Sequence, residues 1–311
     1  MRKLLAAAAI AIVLSLILAI FFLPKQINTS VNATFLCSIN SVNRYIVNDS
    51  NWVKWWPGTF QKNDHSIDYY YDEYKYSVLE QQYNAAVIRI QKEGLSIDTK
   101  MIFFPLKLDS VTTTWTYSVS TNSNPISKIY LFFIKQKING QLKKIVNSMK
   151  SFLDNPDKVY GVKIHEEIVK DTILVTTNFS SLQYPTMAQV YKAIGDIKNY
   201  IALNHARETN FPMLHVRIDS GLYKAQVAIP VNTTIPATAT FPIKRMVPGK
   251  ILVTQVTGGD YTARDAIDEV NRYMTDYHMT SPAIPFESLV TDRMTEPDTT
   301  KWTTKIYYPV F

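Results

Sequence analysis

"ILVT", residues 173–176, returns at the head of "ILVTQVTGGDYTARDAIDEVNRYM", residues 251–274, a separation of 78. A second echo follows: "VAIPV" at 227–231 is answered by "IYYPV" at 306–310, a separation of 79. Repetition at a near-constant period marks a structural unit used twice. Between the members lie helically spaced stretches, "TMAQVYKAIGDIKNYIALNH" (186–205) and "ARDAIDEVNRYMTDYHM" (263–279). Each is followed by a strand-like segment, "FPMLHVRID" (211–219) and "IPFESLVTD" (284–292). Each half therefore reads strand, helix, strand, strand. Two such halves pair about a pseudo-twofold axis and leave a groove between the helices and the central strands.

The second of those strand segments contains Glu287, between Phe286 and Leu289. A buried carboxylate without a partner is costly, and it either raises its pKa or acquires a counter-charge. Two readings stay open from the residues alone. Alternation can turn Glu287 to water, or toward an arginine such as Arg217 or Arg264; otherwise it waits among apolar groups for a cation the chain does not supply.

The combination of "VTGGDYTARDAIDEVNRYM", "IPFESLVTD" and the ending "DTTKWTTKIYYPV" resembles the GyrI-like, or effector-binding, domain of multidrug-responsive bacterial regulators. The resemblance covers about 150 residues. It implies that Glu287 sits in a central pocket and recognises cationic or amphipathic ligands among aromatic rings, with Tyr261 at the pocket edge. Tyr307 and Tyr308 lie on the last strand, where alternation turns only one of them inward; which one is left open. Some members hydrolyse reactive small molecules, so the resemblance also implies an alternative, a hydrolase with Glu287 as general base. The regulators carry a DNA-binding domain, and no such pattern stands here.

Residues 26–157 have a different texture. "KQINTSVNATFL" reads as a strand and "SINSVNRYIVNDSNWVKWWPG" as two short helices closed by Pro57-Gly58. A meander of antiparallel strands follows, from about residue 59 to "KIYLFF" at 128–133. Residues 134–154 carry apolar side chains at helical spacing, and Asn155-Pro156 stops them. "NWVKWWPG" and the closing helix make this segment resemble the SRPBCC, or START-like, helix-grip family, which implies an apolar cavity under the long helix. Trp52, Trp55 and Trp56 either wall that cavity or plug it.

At the other end, Met1-Arg2-Lys3 precedes "LLAAAAIAIVLSLILAIFFL", residues 4–23, in which Ser15 is the one polar side chain. Twenty apolar residues match the hydrocarbon thickness of a bilayer, and no small-x-small site ends the run. The expectation is an uncleaved single-pass anchor (1–25) in the inner membrane, with two domains (26–157 and 158–311) outside the cytoplasm.

The expected fold class is α+β: an N-terminal transmembrane helix, a START-like helix-grip domain, then a GyrI-like domain of two β-α-β-β repeats. The expected function is binding of a hydrophobic or cationic small molecule, and catalysis is the lesser reading. Net charge is +7, but the basic residues are scattered and no helix-turn-helix or zinc-finger spacing accompanies them, so no nucleic-acid partner is expected. The single cysteine, Cys37, rules out an internal disulfide. Without a P-loop, a G-x-S-x-G elbow or paired histidines, no cofactor and no metal are expected.

Overall fold

A computed structural model of the protein describes residues 24–63, 67–120, 124–170 and 172–310. The chain divides into two units between Asn155 and Pro156.

The first unit is a seven-stranded antiparallel sheet in the order β1-β7-β6-β5-β4-β3-β2. Its strands are β1 (Gln26–Phe35), β2 (Thr59–Lys62), β3 (Ile67–Tyr71), β4 (Tyr74–Gln82), β5 (Ala85–Lys92), β6 (Leu95–Lys107) and β7 (Ser110–Ser120). Alternation sets the inner face: on β7, Val111, Thr113, Trp115, Tyr117 and Val119 are buried while the residues between them are less so. The short helix α1 (Ile39–Val42) and two further helical turns (Asn43–Val47 and Asp49–Lys54) lead into the sheet. The long helix α2 (Pro125–Leu153) ends the unit.

That helix begins earlier than the sequence pattern suggests. "KIYLFF" reads as a strand, yet it forms the early part of α2, because the Asn124 side chain caps the Ile126 N–H and Leu131 and Ile134 open the buried stripe that Ile138, Leu142 and Ile145 continue. The aromatic and β-branched composition mimics a strand; the cap and the stripe decide.

Trp52, Trp55 and Trp56 form one buried cluster. Trp52 stacks on Trp56, with centroids 5.3 Å apart and planes within 11°, and touches Trp55 and Tyr69. All three indole N–H groups donate to backbone carbonyls, those of Ile46, Tyr45 and Tyr70. The next turn allows no side chain at all: a Cβ on Gly58 would lie 1.9 Å from the Tyr70 carbonyl oxygen. Gly58→Ala is expected to destabilise this unit by about 2 kcal/mol, since the overlap is with backbone; a denaturation midpoint equal to wild type would contradict that contact.

The second unit is an eight-stranded antiparallel sheet in the order β12-β9-β11-β10-β14-β15-β13-β8. The short helix α3 (Pro156–Tyr160) and β8 (His165–Ile168) lead to β9 (Ile173–Ser181), α4 (Met187–Leu203), β10 (Met213–Asp219) and β11 (Leu222–Pro230). After β12 (Ile243–Arg245) come β13 (Lys250–Thr257), α5 (Asp260–Asp276), β14 (Phe286–Leu289) and β15 (Thr303–Val310). The β10–β14 pairing joins the two halves. Helix α4 covers one half through Val190, Ile194, Ile197 and Ile201, packed on Val175, Val227 and Ile229. Helix α5 covers the other through Ala263, Ala266, Val270 and Met274, packed on Leu252, Ile306 and Tyr308.

The fold class needs correction. Two large antiparallel sheets dominate, the helices are few, and among the described residues no helix is long and apolar enough to cross a membrane. Even α2, the longest, is broken up by lysines from Lys128 to Lys150. The expected span at 4–23 lies outside the described residues. The transmembrane helix and the single-pass inner-membrane placement that rested on it are therefore set aside.

Candidate functional site

The register of the second sheet decides which way each predicted residue points. Glu287 stands opposite Leu214 on β10 and Ile306 on β15, and Ile306 stands opposite Thr254 on β13. Directly opposed residues share a face. Leu214 belongs to the core under α4 and Ile306 to the core under α5. Glu287 is therefore a carboxylate on the helix-bearing face, on a central strand where the two half-cores meet.

Glu287 keeps partial exposure, and among the described residues its carboxylate makes neither a hydrogen bond nor an ion pair. Burial raises its pKa first; the Arg293 charge opposes this, Asp260 adds to it and Arg264 opposes it. Tyr184, in the loop before α4, shares the site: burial pushes its phenol up to about 12, and the charges of Glu287 and Asp260 push the same way. Its ring meets Tyr223 edge-on at 5.8 Å, and the Arg264 guanidinium lies 5.8 Å over its face.

Arg293 ties this region together. Its side chain is 1% exposed and pairs with Asp260 at 2.7 Å. The same guanidinium donates to Thr304 Oγ1 at 2.8 Å and lies 4.8 Å over the Trp302 ring. Asp260 opens α5, where the helix dipole favours an anion. Gly258, just before it, has φ +143°, and a Cβ there would fall 2.6 Å from Thr262 Cγ2. The first glycine of the Gly-Gly-x-Tyr motif is thus required by backbone geometry.

The other nominated residues separate. Tyr261 is 64% exposed on the first turn of α5, its ring edge against Gly259. Tyr308 is on the helix side, but it is buried in the α5 half-core and its hydroxyl donates to Asn271 Oδ1 at 2.6 Å. Tyr307 points to the opposite face, stacked on Phe286 at 5.0 Å. Sequence reasoning missed Tyr184, Asp260 and Arg293. They come from a loop, a helix start and a second loop, and no periodic signal links such positions.

No family model and no curated protein matches the chain. Among solved structures, the EcmrR C-terminal domain is 15% identical, with 48% of this chain and 98% of that chain covered and a TM-score of 0.42. SAV2435 bound to tetraphenylphosphonium is 15% identical, with coverage of 48% and 94% and a TM-score of 0.33. The Aha1 dimer from Colwellia psychrerythraea is 11% identical, with coverage of 41% and 96% and a TM-score of 0.33. These similar structures include GyrI-like effector-binding domains and a START-like protein. At such scores no residue role passes from them to this chain.

Proposed function

We propose that the second unit binds a hydrophobic cation, with Glu287 as counter-charge and Tyr184 as an aromatic wall. One observation carries the reading: a partly buried carboxylate without an ion pair among the described residues sits in the field of a ring that already attracts a cation, the guanidinium of Arg264. A ligand cation gains from the carboxylate by Coulomb attraction and from the ring by its quadrupole, the latter about 0.5–2 kcal/mol. Arg264 is exposed and can yield its place. The reading does not extend to the first unit, whose tryptophans are packed together and bonded to backbone.

The test is a melting-curve titration of the full chain with tetraphenylphosphonium. Saturation at about a hundred times Kd stabilises by roughly 2.7 kcal/mol. Glu287→Gln is expected to abolish that shift, and Arg264→Ala to strengthen binding by about threefold or more, because a competing cation is gone. Affinity in wild type rises with pH as Glu287 ionises, above the usual carboxylate range, while Glu287→Gln shows no ligand shift at any pH. Equal shifts in wild type and Glu287→Gln would sink the proposal.

Without ligand the sign reverses. The folded state holds the Glu287 proton in a window above 4.5 where the unfolded chain has lost it, so this group's contribution to stability falls as pH rises through that window. Glu287→Gln is therefore expected to be more stable than wild type at pH 7, by of order 1 kcal/mol or roughly 2–4 °C in Tm.

The second reading, hydrolysis with Glu287 as general base, draws on the same raised pKa and on Asp260 as a second carboxylate within electrostatic reach. Asp260 is already held by Arg293, which leaves it poorly placed to share protons. Ligand consumption under the titration conditions would favour this reading over binding alone.

A further inference from the structure

Opposite Glu287, the sheet carries a separate cavity of about 330 Å³. Its apolar wall includes Leu174, Met213, Ala228, Met246, Ile284 and Phe286. Leu174, Met213 and Ala228 form one small buried core with Met246 and Phe286 packed against it, so the wall is preformed. Its size is at the lower end of small-molecule pockets, and its two methionines adapt to varied aliphatic shapes.

The charged groups at this cavity are all of one sign among the described residues. Lys244, Arg245 and Lys250 line it beside His215, and no described aspartate or glutamate does. Lys250 is paired with Glu166 at 3.0 Å. Lys244 and Arg245 have only neutral partners, Gln226 Oε1 at 2.7 Å and Thr234 Oγ1 at 3.0 Å, and make no ion pair among the described residues. The His215 Nδ1–H donates to the Pro285 carbonyl at 2.8 Å, which leaves Nε2 as an acceptor in the neutral ring. Burial holds the His215 pKa below its usual value, and the charges of Arg217 and Lys244 push the same way.

We propose that this cavity binds an amphipathic anion, a carboxylate head at Lys244 with an aliphatic body against Met213, Met246 and Phe286. Lys244, which stands opposite Leu174 and so shares the cavity face, supplies the head-group site, and the apolar wall supplies the rest; Arg245, opposite Ile173, turns to the α4 face. The site lies on the opposite face from Glu287 and stands or falls independently of the cation reading.

The experiment is calorimetric titration of the full chain with decanoate below its micellar concentration. Decanol and decyltrimethylammonium serve as head-group controls. Decanoate is expected to saturate one site, and both controls to bind at least about tenfold more weakly, as loss of one charge-assisted contact implies. Lys244→Gln changes only an exposed side chain and is expected to lose about tenfold or more for decanoate, whereas Arg245→Gln, on the opposite face, is expected to bind decanoate as wild type does. Glu287→Gln is expected to bind decanoate as wild type does. By NMR titration the His215 pKa rises when decanoate is bound, because an anion favours the imidazolium. Decanol binding as tightly as decanoate, an unaffected Lys244→Gln variant, or no saturable binding would each overturn the proposal.

Discussion

Trp52→Ala is expected to cost about 4 kcal/mol, measured as the guanidinium midpoint of the first unit. Trp52 is fully buried, stacked on Trp56 and in contact with Trp55 and Tyr69. The substitution removes a whole indole, loses three ring contacts and strands the Ile46 carbonyl that the indole N–H satisfies at 2.7 Å. The surrounding backbone has little freedom to collapse, because Gly58 abuts Tyr70 and Trp56 is tied to the same carbonyl. Trp52→Phe keeps most of the ring packing and loses the N–H donor, so about 1–2 kcal/mol is expected. A loss below about 1 kcal/mol for Trp52→Ala would mean that the ring walls an open cavity, and ligand binding in this unit would then return as a reading.

How far such features were legible in the sequence depends on the kind of information each one needs. The strand–helix–strand–strand order of the second unit follows from local periodicity, which short-range steric rules enforce. The "ILVT" repeat shows where letters mislead. Val175 packs under α4 while Leu174 faces the other side; in the second copy it is Leu252 that packs under α5. The four letters recur at a separation of 78, but the two copies present opposite faces. "VAIPV" and "IYYPV", separated by 79, keep theirs: Val227 and Ile306 both face the helices. Because the side-chain period of a strand is two, a one-residue difference in spacing exchanges core for surface. Matching letters at a constant separation therefore do not show that two copies share a face; the register of the partner strands does.

The candidate site was legible only in part, for a related reason. Glu287 could be nominated because it breaks an apolar pattern on a strand. Tyr307 and Tyr308 could be paired but not oriented, since register is a property of the partner strand; the Phe286–Tyr307 and Glu287–Ile306 pairings resolve it. Asp260, Arg293 and Tyr184 sit at the ends of elements, where the chain reverses and spacing carries no phase. Similarly, "KIYLFF" joined the helix because a cap at Asn124 outweighed the β-propensity of its residues.

Arg293→Ala is the second large effect, expected at about 3 kcal/mol by equilibrium denaturation. Removing one partner of a buried pair costs about 3–5 kcal/mol, and the lower end applies because the Asp260 side chain is 37% exposed and water solvates what is left behind. The guanidinium also releases Thr304 Oγ1 and the Trp302 ring face, so the N-terminus of α5 and the last strand lose a shared anchor. Arg293→Lys keeps the charge but not the two-pronged geometry, and an intermediate loss is expected. The decisive measurement is a double-mutant cycle with Glu287→Gln. Arg293 lowers the Glu287 pKa against its burial, so its removal costs more beside a charged Glu287 than beside a glutamine. A coupling of about 0.5–1 kcal/mol at pH 7 is expected, fading as the pH falls and Glu287 takes up its proton. If the two substitutions are additive at every pH, Arg293 is a structural anchor alone and the electrostatics of the site do not reach it.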